Sequence, residues 1–291
     1  MIIVKLKGGL GNQLFQYATG RGIAERTGMT LKLDVSSYQS DALRNYRLRA
    51  YPVVDKFATA EEIECLNPSK AHYARWTASR IRNALKPYYG RSYLKERGFP
   101  FDPAILQVRQ PVYLNGYWQS EKYFADIADV LVREFTPASP LSPENEALVV
   151  RMAASSSVSL HIRRGDYVAS PEALRVHGVV PLDYYRQAMS LMAGRVPGPH
   201  FFIFSDDMAW VQENLSADHP MTFVGSERSN QDYDDLRLMS CCRHHITANS
   251  SFSWWGAWLN RRPDKIVVAP QKWFAASIDT RDLIPAGWIR V

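Results

Sequence analysis

Short apolar runs alternate with amphipathic segments twice along this chain, once before and once after a proline-rich stretch. Residues 2–8 (IIVKLKG) read as a strand that enters a glycine-rich turn. Residues 12–28 follow with Leu14, Phe15, Ala18, Ile23 and Ala24 on an approximate helical stripe and Gly28 as a C-cap. Residues 30–36 (TLKLDVS) alternate as a second strand, which makes a β-α-β opening. Residues 40–110 read as helices and loops, 111–120 as a strand and 125–135 as a helix. Residues 136–143 (TPASPLSP) carry Pro137, Pro140 and Pro143 and read as a linker. Beyond it, strands are expected at 157–162, 200–205, 221–225, 244–248 and 265–269. Helices are expected at 143–155, 181–194, 209–215, 234–242 and 252–261. Strands joined through helices are parallel, and a parallel sheet is covered on both faces. The expected class is therefore α/β. With 291 residues there is room for two such units, 1–140 and 141–291.

Several classes fall away. Cys65, Cys241 and Cys242 are odd in number, two of them adjacent, with no Cys-x-x-Cys spacing. That is neither a disulfide framework nor a zinc site, and it suits reduced thiols in a cytoplasmic protein. The start MIIVKLKGG lacks the apolar core of a secretory signal. No run approaches the ~18 apolar residues of a membrane span; residues 252–259 (FSWWGAWL) are too few. The net charge of +6 is concentrated in 70–97, where Lys70, Arg75, Arg80, Arg82, Lys86, Arg91, Lys95 and Arg97 face Glu96 alone. Tyr73, Trp76, Ile81, Leu85 and Tyr88 interleave with them. Two readings stand: a patch for an anionic membrane or acceptor, or a solvated helix face with snorkelling stems. No nucleic-acid motif accompanies the charge, so no nucleic-acid partner is expected.

Chemistry-bearing residues gather after the strands of the second half. In open α/β sheets ligands bind beyond the carboxyl ends of the strands. After 157–162 come Arg163, Arg164, Gly165 and Asp166; after 200–205, Asp206 and Asp207; after 244–248, Asn249, Ser250 and Ser251. A guanidinium fork suits a phosphate. Residues in an extended strand alternate in direction, so one arginine is expected to aim at the ligand and the other to pair with Asp166. The plainer reading is a structural Arg–Asp pair. Asp206 and Asp207 suit a guanine edge or a ribose hydroxyl, or a helix N-cap. Ser250 and Ser251 suit a phosphate at a helix N-terminus, or capping alone. His161, inside its strand, reads first as a hydrogen-bonded core histidine. The run 232–235 (DYDD) resembles an Asp-x-Asp metal motif, but a helix start accounts for it. In the first half, Gly9-Leu-Gly11-Asn12-Gln13-Leu14 lacks the third glycine of a dinucleotide fingerprint and the Lys of a P-loop. What remains is a turn that allows close backbone approach to a phosphate or an acceptor sugar.

HIRRGDYV, GGLGNQLFQYA, HGVVPLDYY and ITANSSFSWWGAWL together resemble the α-1,2-fucosyltransferases of glycosyltransferase family eleven, bacterial type, from Lys7 to about Pro270. The resemblance implies a GT-B fold: two Rossmann-like domains facing each other across a cleft, 1–140 on the acceptor side and 141–291 binding GDP-β-L-fucose. It implies inverting transfer to the 2-hydroxyl of a galactose, with no metal and no other cofactor. Arg163 matches the arginine on the β-phosphate, and Arg164 and Asp166 shape its turn. Asp206 or Asp207 would read guanine, and Ser250 and Ser251 would cradle the diphosphate. His161 and Asn249 join this binding set, as do Gly9, Gly11, Asn12 and Gln13 of the N-terminal motif. For an acceptor base, Asp166, Glu172 and His177 follow the arginine turn, and His177 has the most suitable ordinary pKa. The expected setting is O-antigen or other surface-glycan assembly, with a galactose-containing, lipid-linked acceptor and peripheral contact with an anionic membrane. The rivals are a transferase using another GDP-sugar and a non-catalytic glycan- or nucleic-acid-binding protein.

Overall fold

The computed structural model describes residues 1–41, 43–165, 168, 170–225 and 231–291. It divides into two compact units: 1–138 with 279–283, and 139–278 with 284–291. The break falls two residues before the expected boundary, inside the proline-rich stretch. The return of 279–283 to the first unit is new.

The first unit is built on a parallel sheet in the order β2-β1-β4-β3. Its strands are β1 (Ile2–Lys5), β2 (Leu31–Asp34), β3 (Tyr93–Lys95) and β4 (Val112–Asn115). Its helices are α1 (Leu10–Thr27), α2 (Ala60–Leu66), α3 (Tyr73–Ala84) and α4 (Ala128–Glu134). Ile2, Ile3 and Val4 are completely buried, as are Leu14, Phe15, Tyr17 and Ala18 of α1. Each large apolar side chain in such a core contributes about 1.5–3 kcal/mol of burial free energy. Gly28 closes α1 in the left-handed conformation (φ 69°) its sequence position calls for.

The second unit holds a six-stranded parallel sheet in the order β10-β9-β8-β5-β6-β7. The strands are β5 (Ser156–Ile162), β6 (Pro199–Ser205), β7 (Met221–Val224), β8 (His244–Ile246), β9 (Val267–Ala269) and β10 (Ile289–Arg290). Among the described residues the helices are α5 (Pro143–Ala153), α6 (Pro171–His177), α7 (Leu182–Ala193), α8 (Met208–Asn214), α9 (Asp232–Cys241) and α10 (Ser251–Leu259). β5 is buried on both faces. Val158, Leu160 and Ile162 pack with Tyr185, Ala188 and Met192 of α7, while Ser157, Ser159 and His161 line the opposite side. These are the two α/β units with parallel sheets that the GT-B expectation calls for.

Four elements depart from the sequence reading. β3 and β10 are strands of three and two residues, too short to leave a period. α6 covers Pro171–His177, where the sequence pattern places neither strand nor helix. β4 stops at Asn115 because the chain turns at Gly116, and Trp118 takes φ 57°.

Candidate active site

In chain order the second sheet's strands stand 3-2-1-4-5-6. The connections leave β5 and β8 in opposite directions, so a crevice opens beyond their carboxyl ends. Arg163 follows β5 directly, and Asn249 and Ser250 follow β8 just before α10.

The arginine turn is tied to the end of β6. Arg163 Nη1 lies 3.1 Å from Asp206 Oδ2. The backbone N–H of Arg164 donates to Asp206 Oδ1 at 2.9 Å. Arg164 Nε donates to Asp207 Oδ2 at 3.1 Å, and its guanidinium stacks on Trp210 of α8, 3.5 Å from the ring centroid. Asp207 also caps α8, accepting from Trp210 N at 3.4 Å. A Cβ on Gly165 would come within 2.5 Å of Asp206 Oδ2, so only glycine lets the turn approach this carboxylate.

Both arginines pair with the Asp206–Asp207 step. The reason is geometric, because Ile162 registers with Ser205 on the neighbouring strand and the two turns leave side by side. Asp166 itself lies outside the described residues. Asp206 and Asp207 are committed to the arginines and to a helix cap. Trp210, the stacking partner of Arg164, was not singled out from the sequence; its only signal is its place in the first turn after the Asp207 cap.

His161 is buried, with its ring 5.6 Å from Phe252. Burial brings its pKa down to about 4, against the pull of Asp206 and with the repulsion of Arg163. Among the described residues its Nδ1 has no hydrogen-bond partner, in place of the bonded core histidine expected there. That description fits His245 instead, which meets Ser159 Oγ at 2.7 Å and Asn260 Nδ2 at 2.8 Å.

Asn249 is a strut. Its Nδ2 donates to the carbonyls of His177 (2.9 Å), Trp273 (3.1 Å) and Gly178 (3.3 Å). This ties the end of β8 to the end of α6. His177 also accepts from Ala275 N at 3.2 Å, and its ring packs on Phe274 at 5.5 Å. Ser250 is the N-cap of α10, its Oγ accepting from Phe252 N at 3.3 Å, and Ser251 opens the helix. Asp232, Asp234 and Asp235 lie in the first turn of α9, as a helix start requires.

The corresponding edge of the first sheet is built from amides. Gly8 takes φ 77°, and a Cβ there would meet Asn12 Nδ2 at 2.7 Å. Gly9 is the N-cap of α1, and Gly11 and Asn12 fall in its first turn. Asn12 Oδ1 accepts from Gln119 Nε2 at 2.7 Å. Gln13 is completely buried. Its Nε2 donates to the carbonyls of Asn45 (2.8 Å) and Gly8 (2.9 Å), and its Oε1 accepts from Arg47 N at 2.9 Å. The binding role expected of Gln13 is thus replaced by a structural one, since its amide is spent on the loop around it. Glu96 clamps the turn that carries Gln119, accepting from Tyr117 N (2.7 Å) and Trp118 N (2.8 Å). Burial pushes its carboxyl up against those two bonds, and burial lowers neighbouring Lys7. Gly8, Glu96 and Gln119 were missed from sequence because their roles depend on contacts between distant segments.

The whole chain, residues 1–291, matches the family model for Glycosyl transferase family 11. An Alpha-1,2-colitosyltransferase of Escherichia coli is 33% identical over 298 residues, covering 100% of this chain and 99% of that protein. The O-antigen biosynthesis glycosyltransferase WbnK of Escherichia coli is 34% identical over 316 residues, covering 98% and 99%. The Galactoside 2-alpha-L-fucosyltransferase Sec1 of Mus musculus is 26% identical over 265 residues, covering 89% and 64%. Among solved structures, a point mutant of Arabidopsis thaliana FUT1 in complex with GDP aligns with 94% of this chain and 71% of its own, at 13% identity and a TM-score of 0.48. Among the described residues no helix is long and apolar enough to cross a membrane.

Proposed function

Because this chain belongs to glycosyl transferase family 11, we propose that it transfers L-fucose from GDP-β-L-fucose to the 2-hydroxyl of a galactoside. The anomeric centre inverts, the product is α-1,2-linked, and the setting is surface-glycan (O-antigen) assembly. The observation that carries the reading is Arg163 at the carboxyl end of β5, at the strand-order switch of a six-stranded parallel sheet. In the reaction the acceptor oxygen bonds to fucose C1 while the bond from C1 to the β-phosphate oxygen breaks. Negative charge grows on the departing diphosphate. A guanidinium already held by Asp206 acts on that charge without reorganising, which is what lowers a barrier. Backbone N–H groups opening α10 at Ser251 would add to the diphosphate cradle. Asp166 and His177 are the candidates to take the acceptor's proton, and Asn12 the candidate to contact a sugar or phosphate oxygen. The reaction is proposed to run without metal. The relative named for galactoside 2-α-L-fucosyl transfer supports sugar and linkage, and the one named for O-antigen biosynthesis supports the setting.

A second donor, GDP-colitose, is favoured by the relative named as an α-1,2-colitosyltransferase. Colitose is L-fucose without its 3-hydroxyl. A site built to bond that hydroxyl rejects the deoxy sugar by about 10⁴–10⁵, whereas an apolar site rejects the extra hydroxyl by only about 10². The test is to assay the full chain with both GDP-sugars and a panel of β-galactosides, with and without EDTA, and determine the product linkage. Fucose on O2 with EDTA present bears the proposal out. Consumption of GDP-colitose alone moves it to the second donor. A linkage elsewhere, or no turnover with either sugar, removes it.

A further inference from the structure

We propose that α3 is a docking face for an anionic lipid bilayer. The helix is mounted the wrong way round for a globular protein, where the apolar stripe faces the core. Ser79 is its one buried residue. It is fastened through polar groups: Asn83 Nδ2 donates to Ser79 Oγ (3.4 Å) and Ser92 Oγ (3.3 Å), and Asn83 Oδ1 accepts from Ser92 N (3.1 Å). Ser92 Oγ in turn donates to the Leu66 carbonyl at 3.1 Å.

The apolar stripe points outward. Tyr73, Ile81 and Leu85, with Ala74 and Ala78 beside them and the half-buried Thr77 between, share one face. Tyr73 is 70% exposed, Ile81 59% and Leu85, at the C-terminal cap, 84%. At 3.6 residues per turn, Arg75, Arg82 and Lys86 fall along one border of this stripe and Arg80 along the other. Among the described residues no carboxylate pairs with Arg75, Arg82 or Lys86, and no Asp or Glu occurs from 65 to 95.

An apolar stripe edged by cations matches a bilayer surface, where the stripe enters the acyl boundary and the cations meet anionic headgroups. It does not match nucleic acid, which would leave Ile81 and Leu85 in water. It does not favour a second copy of this chain, because facing helices would set like charges against each other. This inference is independent of the donor and acceptor assigned above.

The test is co-sedimentation of the full chain with phosphatidylglycerol-containing vesicles and with pure phosphatidylcholine vesicles. Binding is expected to the anionic vesicles alone and to weaken steeply in ~0.5 M salt, where the Debye length falls well below its physiological value. Each cation near such a surface is worth roughly fivefold, so Arg75→Gln/Arg82→Gln should weaken binding roughly 30-fold. Ile81→Glu/Leu85→Glu, at exposed sites, should abolish it with the melting temperature unchanged. Equal binding to both vesicles, or undiminished binding by the Glu variant, overturns the proposal. So does retention on an oligonucleotide without vesicle binding, or a dimer that the Glu variant dissolves.

Discussion

The two sheets end differently at the same topological place. Beyond β1 and β4 the first unit sets mainly neutral groups, a left-handed glycine, the Asn12–Gln119 amide pair and the fully engaged amide of Gln13, and turns its Glu96 carboxylate onto backbone N–H groups. Beyond β5 and β6 the second unit sets fixed charges: two arginines against two aspartates, with one guanidinium laid on an indole. Neutral amides exchange hydrogen bonds with hydroxyls at little desolvation cost. Charges that the fold already holds in pairs can answer an anion. One plan therefore yields two kinds of edge, and the side chains after the strands decide which.

The comparison breaks most sharply at Arg163. If the charged edge carries the chemistry, Arg163→Ala lowers kcat by roughly 10²–10³ while the protein stays folded, read by circular dichroism. A kcat close to that of the wild type would take this arginine out of the reaction. The matching change at the neutral edge is Gln13→Leu, which leaves the Asn45 and Gly8 carbonyls and the Arg47 amide without their partner. It should cost about 3 kcal/mol of stability, read by urea denaturation, and act on activity only through folding. A stable, inactive Gln13→Leu would make Gln13 a binding residue after all.

The smallest effect separates the units by pH. His161, His200, His244 and His245 all lie in the second unit, and burial lowers the pKa of each. Below about 6.5 the unfolded chain takes up protons that the folded one refuses, so stability falls as pH falls toward the folded values. His161, with a folded pKa of about 4, alone accounts for about 2 kcal/mol by pH 5. Glu96 at the first unit's edge has the opposite sign: its raised carboxyl favours folding as pH falls. Hydrogen exchange at pH 7 and pH 5 should show β5 and β8 losing protection while β1 and β4 keep theirs. Equal loss in both sheets would erase the distinction.

The alternation of strand and helix was legible because burial on both faces leaves β5 and β6 apolar and a helix between strands leaves its own stripe. The arginines were legible because a charge after such a run has few structural reasons to be there. Their partners were not. Nothing local says that Arg164 reaches Asp207 on the neighbouring strand's turn, since that follows from the register of β5 on β6. Gln13 and Asn249 read as site residues for a related reason: polar side chains after a strand look alike whether they face a ligand or bond a neighbouring carbonyl.

The stretch 279–283 bears on where this chain can be divided. Asp282 accepts from Phe101 N at 3.0 Å and pairs with Lys122, while residues 284–291 return to the second unit and add β10 beside β9. The first unit is therefore not contiguous in sequence: its last piece is separated from Ala138 by five of the six strands of the second sheet. A fragment ending at Ala138 lacks a piece of its own wall, and a cut between the two sheets leaves the Phe101 amide and Lys122 without Asp282.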